Sequence, residues 1–162
     1  METMTEMQVL RYFKSMPPVR VVEAIKALGI RYVEKRLITG QSGYFKNTGN
    51  GYEIGVNATD GPQRKRFTAA HELGHYVLHR DKLGPGEHLD RLYDKYADSN
   101  SASPFSYSDE RQANQFAADF LMPANLVSIY YQRGDAAQRI AERFEVSKAA
   151  ADVRLKSLGL LP

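Results

Sequence analysis

Apolar residues recur along this chain at two different periods, and the switches between them divide it into elements. Val19, Val22, Ile25, Ala27 and Leu28 form one helical stripe, with Pro17 and Pro18 ahead of it and Gly29 closing it. The next runs, 30–36 (IRYVEKR), 43–46 (GYFK) and 52–57 (YEIGVN), read as strands. NTGNG between the last two carries the Asn/Gly chemistry of a hairpin turn. Helical spacing returns at Phe67, Ala70, Leu73, Gly74, Val77 and Leu78 and predicts a helix over 63–80. Residues 81–108, rich in Gly, Ser, Pro and Asp, predict a long surface loop with a turn of helix around 89–96. A second strong helix, 109–121 (DERQANQFAADFL), stops just before Pro123. Three shorter helices follow at 123–132, 135–144 and 147–158, the last capped by Ser147. Together these predict an α+β fold: a small three-stranded sheet packed on a helical core, with a C-terminal helical, helix-turn-helix-like bundle. The expected organisation is a polar lead-in at 1–17, a core at 18–125, and a helical extension at 126–162 packed on that core.

Composition narrows the chemistry. The 162 residues are 43% hydrophobic and 25% charged, which suits one soluble domain rather than a disordered chain. The net charge of +3 is a mild basic bias that does not demand a nucleic-acid partner. The chain contains no cysteine, so a metal site must use His, Asp or Glu, and the zinc deaminases, which need paired cysteines, are excluded. METMTEMQVLRYFKSMPPVR lacks an apolar core of signal-peptide length, and no run approaches bilayer-spanning length. The expectation is a cytoplasmic protein that does not bind membranes.

Three of the chain's four histidines fall in one stretch, TAAHELGHYVLHR, at residues 68–80. His71 and His75 are four residues apart, so on a helix both imidazoles share one face about a turn apart, a spacing that suits two ligands of one tetrahedral zinc. Glu72 points about 100° around the helix and can approach a water at that metal without ligating it. This is the HExxH arrangement: imidazoles leave zinc Lewis-acidic, and the glutamate moves the proton. His79 continues the row, but a straight helix sets it about 12 Å from His71, too far to share a metal. It is expected at the surface or in support of the ligands.

A catalytic zinc needs a third protein ligand. Glu87, His88, several aspartates and Glu110 are downstream. Glu110 is favoured because it continues the stripe of Ala113, Ala117 and Leu121, the inward face of its helix, where a carboxylate is costly unless it meets a cation. The simpler alternative is an exposed first-turn glutamate favoured by the helix dipole.

RFTAAHELGHYVLH followed by ERQANQFAADFLMP resembles the ImmA/IrrE family of bacterial and phage metallopeptidases. The matching positions are Phe67, Thr68, His71–His75, Glu110, Ala113, Asn114, Phe116, Ala117, Leu121, Met122 and Pro123. The strands SGYF and YEIGVN and the terminal VSKAAADVRLKSLGLL also look like the family, so that the likeness covers most of residues 18–161. The resemblance implies a zincin-like core over 18–125. It implies one Zn2+ per chain on His71, His75 and Glu110, with Glu72 as general base and Asn114 in a supporting place. It also implies a protein substrate, a helix-turn-helix repressor of a phage, mobile element or stress response, whose cleavage derepresses genes. The extra C-terminal sensor domain of larger members is not expected after the helical part. The alternative is a zinc-containing module that binds a repressor or toxin without cutting it.

Four secondary expectations complete the reading. Gly74 in mid-helix implies close approach of another element. The strand holding Tyr52, Ile54 and Val56 offers an edge for an extended peptide, unless it is fully paired. Lys148, Arg154 and Lys156 lie in the helix-turn-helix-like segment, where packing or repressor docking is expected over direct contact with DNA. Tyr107 and Tyr76 are the candidate oxyanion donors, singled out from ten tyrosines.

Overall fold

The computed structural model describes residues 2–92 and 104–162. Helix α1 (Glu6–Phe13) opens with a reciprocal Thr5–Gln8 capping box and buries Val9 and Leu10. Helix α2 (Val21–Ala27) leads into strands β1 (Arg31–Lys35), β2 (Gln41–Asn47) and β3 (Tyr52–Asn57). The long helix α3 (Pro62–His79) follows, with proline in its first turn, and a short 3-10 turn (Arg80–Lys82) ends it. After strand β4 (His88–Leu92) come α4 (Tyr107–Leu121), α5 (Ala124–Gln132), α6 (Ala137–Phe144) and α7 (Lys148–Ser157). No helix among the described residues is long and apolar enough to cross a membrane.

The three expected strands form, and β4 joins them in the order β1-β3-β2-β4. β2 and β3 make the antiparallel hairpin, with Phe45 opposite Ile54. β1 runs parallel to β3, and β4 is antiparallel to β2. Over 88–92 this corrects the expected turn of helix around 89–96: β2 would otherwise leave a buried edge unpaired, and β4 supplies its hydrogen bonds. The rest of that expected turn lies outside the described residues.

A second correction concerns Tyr52, Ile54 and Val56. They do not lie on a free edge, because β3 is paired on both sides, by β1 and by β2. Its burial follows: Ile54, Gly55, Val56 and Asn57 are all buried, the near-continuous pattern of an interior strand rather than an alternating one. Asn57 closes that end of the sheet, donating from Nδ2 to the Gln41 carbonyl at 2.8 Å.

The sheet packs Phe45, Ile54 and Val56 against Ala69, Ala70 and Leu73 of α3, and the same apolar cluster continues through Phe120 and Leu121 to Ile140, Phe144, Ala151 and Leu155. Two arginines tie the C-terminal helices to this core. Arg66 of α3 donates to the carbonyls of Phe144 and Glu145 at the end of α6. Arg154 of α7, only 6% exposed, donates from Nε to the Met122 carbonyl at 2.9 Å and pairs with Asp119 at 2.7 Å. Arg154 is therefore a strut between α7 and the end of α4, not a group presented to phosphates. Arg154→Ala leaves a buried carbonyl without its donor and is expected to cost about 1–3 kcal/mol, read by urea unfolding. An unchanged midpoint would remove Arg154 as a strut.

Gly74 lies where α3 crosses α4. A Cβ there would stand 3.1 Å from Phe116 Cβ and 3.2 Å from Ala113 Cα, and the second neighbour is backbone that has little room to yield. Gly74→Val is expected to destabilise by about 1–3 kcal/mol through overpacking. It should also weaken metal uptake, because it pushes away the helix that carries Glu110. Wild-type stability in that variant would show that the helices do not need this close approach.

Candidate metal centre

Three columns of side chains explain what α3 presents. Thr68, Glu72 and Tyr76 are spaced by four and face the sheet: Thr68 packs at Gly43 of β2, and Tyr76 meets Tyr52 edge-on at 5.4 Å. The neighbouring column, His71, His75 and His79, faces α4. The third, Ala70 and Leu73 with Ala69, fills the core. All three histidines and Glu72 are buried, Glu72 to 1% exposure.

α4 supplies the opposing groups. Its N-terminus is fixed by a capping box in which the Ser106 side chain accepts from Asp109 N and Asp109 accepts from Ser106 N. This sets the phase of the helix so that Glu110, one residue on, turns toward α3. Glu110 Oε2 lies 3.1 Å from His71 Nε2, and Glu110 Oε1 lies 3.0 Å from His75 Nε2. One ligand atom from each of the three residues falls within 4.8 Å of the others. Burial alone would push the Glu110 carboxyl up. Were both imidazoles to donate to it from Nε2, with no cation between them, they would outweigh that and hold it well below the usual carboxylate range.

The far sides of the rings are held as well. His71 Nδ1 lies 2.7 Å from Asn114 Oδ1, one turn after Glu110 on the same face of α4. His75 Nδ1 lies 3.0 Å from His79 Nδ1, and His79 Nε2 lies 2.8 Å from Gln112 Oε1 and 3.4 Å from Asp109 Oδ1. Lys82 closes this row, donating to Asp109 Oδ2 at 2.7 Å. Desolvation would raise the Asp109 carboxyl, but Lys82, the Ser106 backbone and His79 together bring it below its ordinary value. Phe105 stacks on His75 at 4.3 Å with the rings 16° apart.

These donors fit a divalent metal. With Nδ1 of His71 donating to Asn114, a neutral ring turns its Nε2 lone pair toward Glu110. The pair from His75 Nε2 meets the other oxygen of the same carboxylate. Such a set repels itself unless positive charge lies among the three groups. One cation answers all of them together, and two imidazoles with a carboxylate are a set that zinc prefers. The partners on the outer nitrogens are what orient such ligands.

The other candidates are spread more widely. Tyr107, the first residue of α4, is 81% exposed and stands one turn before Glu110. Tyr76 packs against Tyr52 and under the Arg80 guanidinium at 4.5 Å. Tyr52 stacks on Phe45, while Ile54 and Val56 belong to the core. Glu87 donates no side chain to the centre; its carboxylate accepts from Gly84 N at 2.9 Å. Of Lys148, Arg154 and Lys156, Lys148 pairs with Asp152 along its own helix and Arg154 is buried. The sequence reading did not reach Phe105, Gln112, Asp109 or Lys82. Only Asp109 left a local signal, as the third residue after the Ser106 cap.

The chain also matches known proteins. The model of the Peptidase_M78 family, described as the IrrE N-terminal-like domain, matches residues 25–156. Proteins named radiation response metalloprotease IrrE from Deinococcus radiodurans and Deinococcus deserti are 33% and 34% identical over 100 residues. Each match takes in 59% of this chain, and 28% and 33% of the respective relative. The metallopeptidase ImmA of Bacillus subtilis is 26% identical over 106 residues, 64% of this chain and 56% of its own length. The chain thus spans little more than half the length of ImmA, and a third or less of the two IrrE proteins.

Proposed function

Since this chain belongs to the Peptidase_M78 family of IrrE N-terminal-like domains, we propose that it is a zinc-dependent endopeptidase. We further propose that it hydrolyses one peptide bond in a helix-turn-helix transcriptional repressor and so releases the genes that repressor holds. The observation that carries the reading is the convergence of His71, His75 and Glu110, whose ligand atoms lie within 4.8 Å of one another between two packed helices.

In this reading His71 Nε2, His75 Nε2 and one Glu110 oxygen hold a single Zn2+. Bound there, the metal supplies Lewis acidity, polarising a carbonyl and acidifying water. The remaining work belongs to side chains of this protein. Glu72, on the column beside the histidines, accepts the proton of the attacking water and returns it to the leaving amine. Its burial removes competing solvent and keeps the carboxylate in one place. Asn114 holds the His71 ring in its ligating orientation. Tyr107, exposed one turn before Glu110, is better placed than Tyr76 to steady the developing oxyanion, because Tyr76 is engaged by Tyr52 and Arg80.

Substrate entry uses the sheet. Among the described strands only β1 and β4 have an outer edge, and Phe45 of β2, the strand paired with β4, stacks on Phe105, which stacks on His75. An extended peptide adding to β4 brings its backbone toward the metal side of α3.

The test is incubation of the full chain with a helix-turn-helix repressor encoded beside it, with and without a chelator. Fragments that appear only in the absence of chelator, and return when zinc is restored, are the expected result. A stable complex of two intact chains under all conditions would favour a binding module instead.

A further inference from the structure

The HExxH pattern accounts for His71, Glu72 and His75. It gives no role to His79, yet His79 is 4% exposed and sits at the centre of a polar row running from the surface to the site. The row is Lys82, Asp109 with Gln112, His79, then His75. A buried imidazole of this kind needs partners on both nitrogens, and both are present here.

The direction of the row follows from its outer end. Asp109 Oδ2 accepts from Lys82 Nζ at 2.7 Å and from Ser106 N at 2.9 Å, so this carboxylate, already met by two donors, faces His79 as an acceptor. Gln112 Oε1, at 2.8 Å, presents an acceptor to the same nitrogen. The ring proton of His79 therefore sits on Nε2, which leaves a lone pair on Nδ1. That lone pair is 3.0 Å from His75 Nδ1, so His75 donates its own proton there. The only lone pair left on His75 is on Nε2, the atom that faces Glu110 at 3.0 Å. Reversing the row would put a proton on His79 Nδ1 and leave the Asp109 carboxylate facing a second lone pair. Phe105 covers both rings, at 4.3 Å from His75 and 5.6 Å from His79, and shields this hydrogen bond from water.

We propose that His79 is a positioning residue for the metal centre. Oriented by Asp109 and Gln112, it fixes the tautomer and ring angle of His75 so that His75 Nε2 is presented as a ligand. The inference rests on the metal-centre reading above and deepens it. It also gives α4 a second contribution: Glu110 holds the metal directly, while Asp109 and Gln112 on either side of it align the opposite ligand through His79.

The test combines 15N NMR of the zinc-loaded wild-type protein with zinc affinities from chelator competition. In wild type, His79 is expected to carry its proton on Nε2 and to show Nδ1 as an unprotonated, hydrogen-bonded nitrogen. His79→Phe, which removes the acceptor, is expected to weaken zinc binding about 10–100-fold. His79→Gln, whose amide oxygen can accept from His75 Nδ1, is expected to recover most of that loss. A proton on His79 Nδ1 in wild type overturns the inference. So does an unchanged zinc affinity in a folded His79→Phe. If His79→Phe fails to fold, the wild-type tautomer decides alone. The two readings fail differently: a wild type that takes up no zinc removes the metal centre itself. Wild-type uptake that is lost in His71→Ala but untouched in His79→Phe removes only the role of His79.

Discussion

Glu72→Gln is expected to bind zinc as tightly as wild type and to cleave its substrate about 10²–10⁴-fold more slowly, the range associated with a positioned proton-transfer group. The two halves of this result have separate causes. Glu72 is not among the three residues whose ligand atoms converge, so an amide in its place leaves the ligand set intact. The amide is close in size and shape, so the packing of the Thr68–Glu72–Tyr76 column against the sheet survives. What is lost is the basic oxygen, and an amide cannot take up a proton at neutral pH. Single-turnover cleavage beside zinc stoichiometry separates the two effects. Full activity in Glu72→Gln would remove Glu72 as the base, and loss of zinc would make it a ligand instead.

The second large effect is expected at Glu110. Glu110→Ala should weaken zinc binding by more than the roughly 10–100-fold that follows loss of a supporting partner, because it removes one of three donors outright. The carboxylate sits between both rings, at 3.1 Å and 3.0 Å from their Nε2 atoms, so both imidazoles lose their anionic neighbour at once. Glu110→Gln tests the charge separately: it keeps an oxygen that can ligate but not the negative charge, and should fall between alanine and wild type. Chelator competition measures both. Unchanged affinity in Glu110→Ala would place the third ligand elsewhere. Helix α4 should survive either change, since its N-terminus is held by Ser106 and Asp109 rather than by Glu110.

The parts of this site that were legible in the sequence are those whose physics is local. His71 and His75 declare themselves because a helix places residues four apart on one face. Glu110 is nearly as plain, because a carboxylate in the apolar stripe of Ala113, Ala117 and Leu121 calls for a cation. Gly74 signals the close crossing of α4 by its mid-helix cost alone. What could not be read depends on contacts between distant segments. Phe105 follows a Ser-, Asp- and Gly-containing stretch of sequence with no periodicity, and nothing local tells that its ring lies on His75. His79 itself stands in the local row, but its outer partners are invisible for the same reason: His79 and Gln112 are 33 residues apart. The sheet shows the limit most clearly. YEIGVN and GYFK predict a hairpin, but the pairing of β1 with β3 and of β4 with β2 is a matter of tertiary register. Hence Tyr52, Ile54 and Val56 read as an edge and lie in an interior strand.

Family membership and geometry bear on different parts of the account. The match over residues 25–156 shows the family to which the chain belongs. The relatives extend well beyond the matched region, so their printed activities describe larger proteins. Geometry speaks for this chain alone, and it places two imidazoles and one carboxylate around a common point with their outer nitrogens already engaged.

Diffraction from crystals of the zinc-loaded protein, recorded on both sides of the zinc absorption edge, tests that arrangement directly. The account predicts a single strong anomalous peak per chain, about 2.0–2.2 Å from His71 Nε2, His75 Nε2 and a Glu110 carboxylate oxygen. A peak bound by other residues, or zinc-loaded crystals with no peak between α3 and α4, would contradict it.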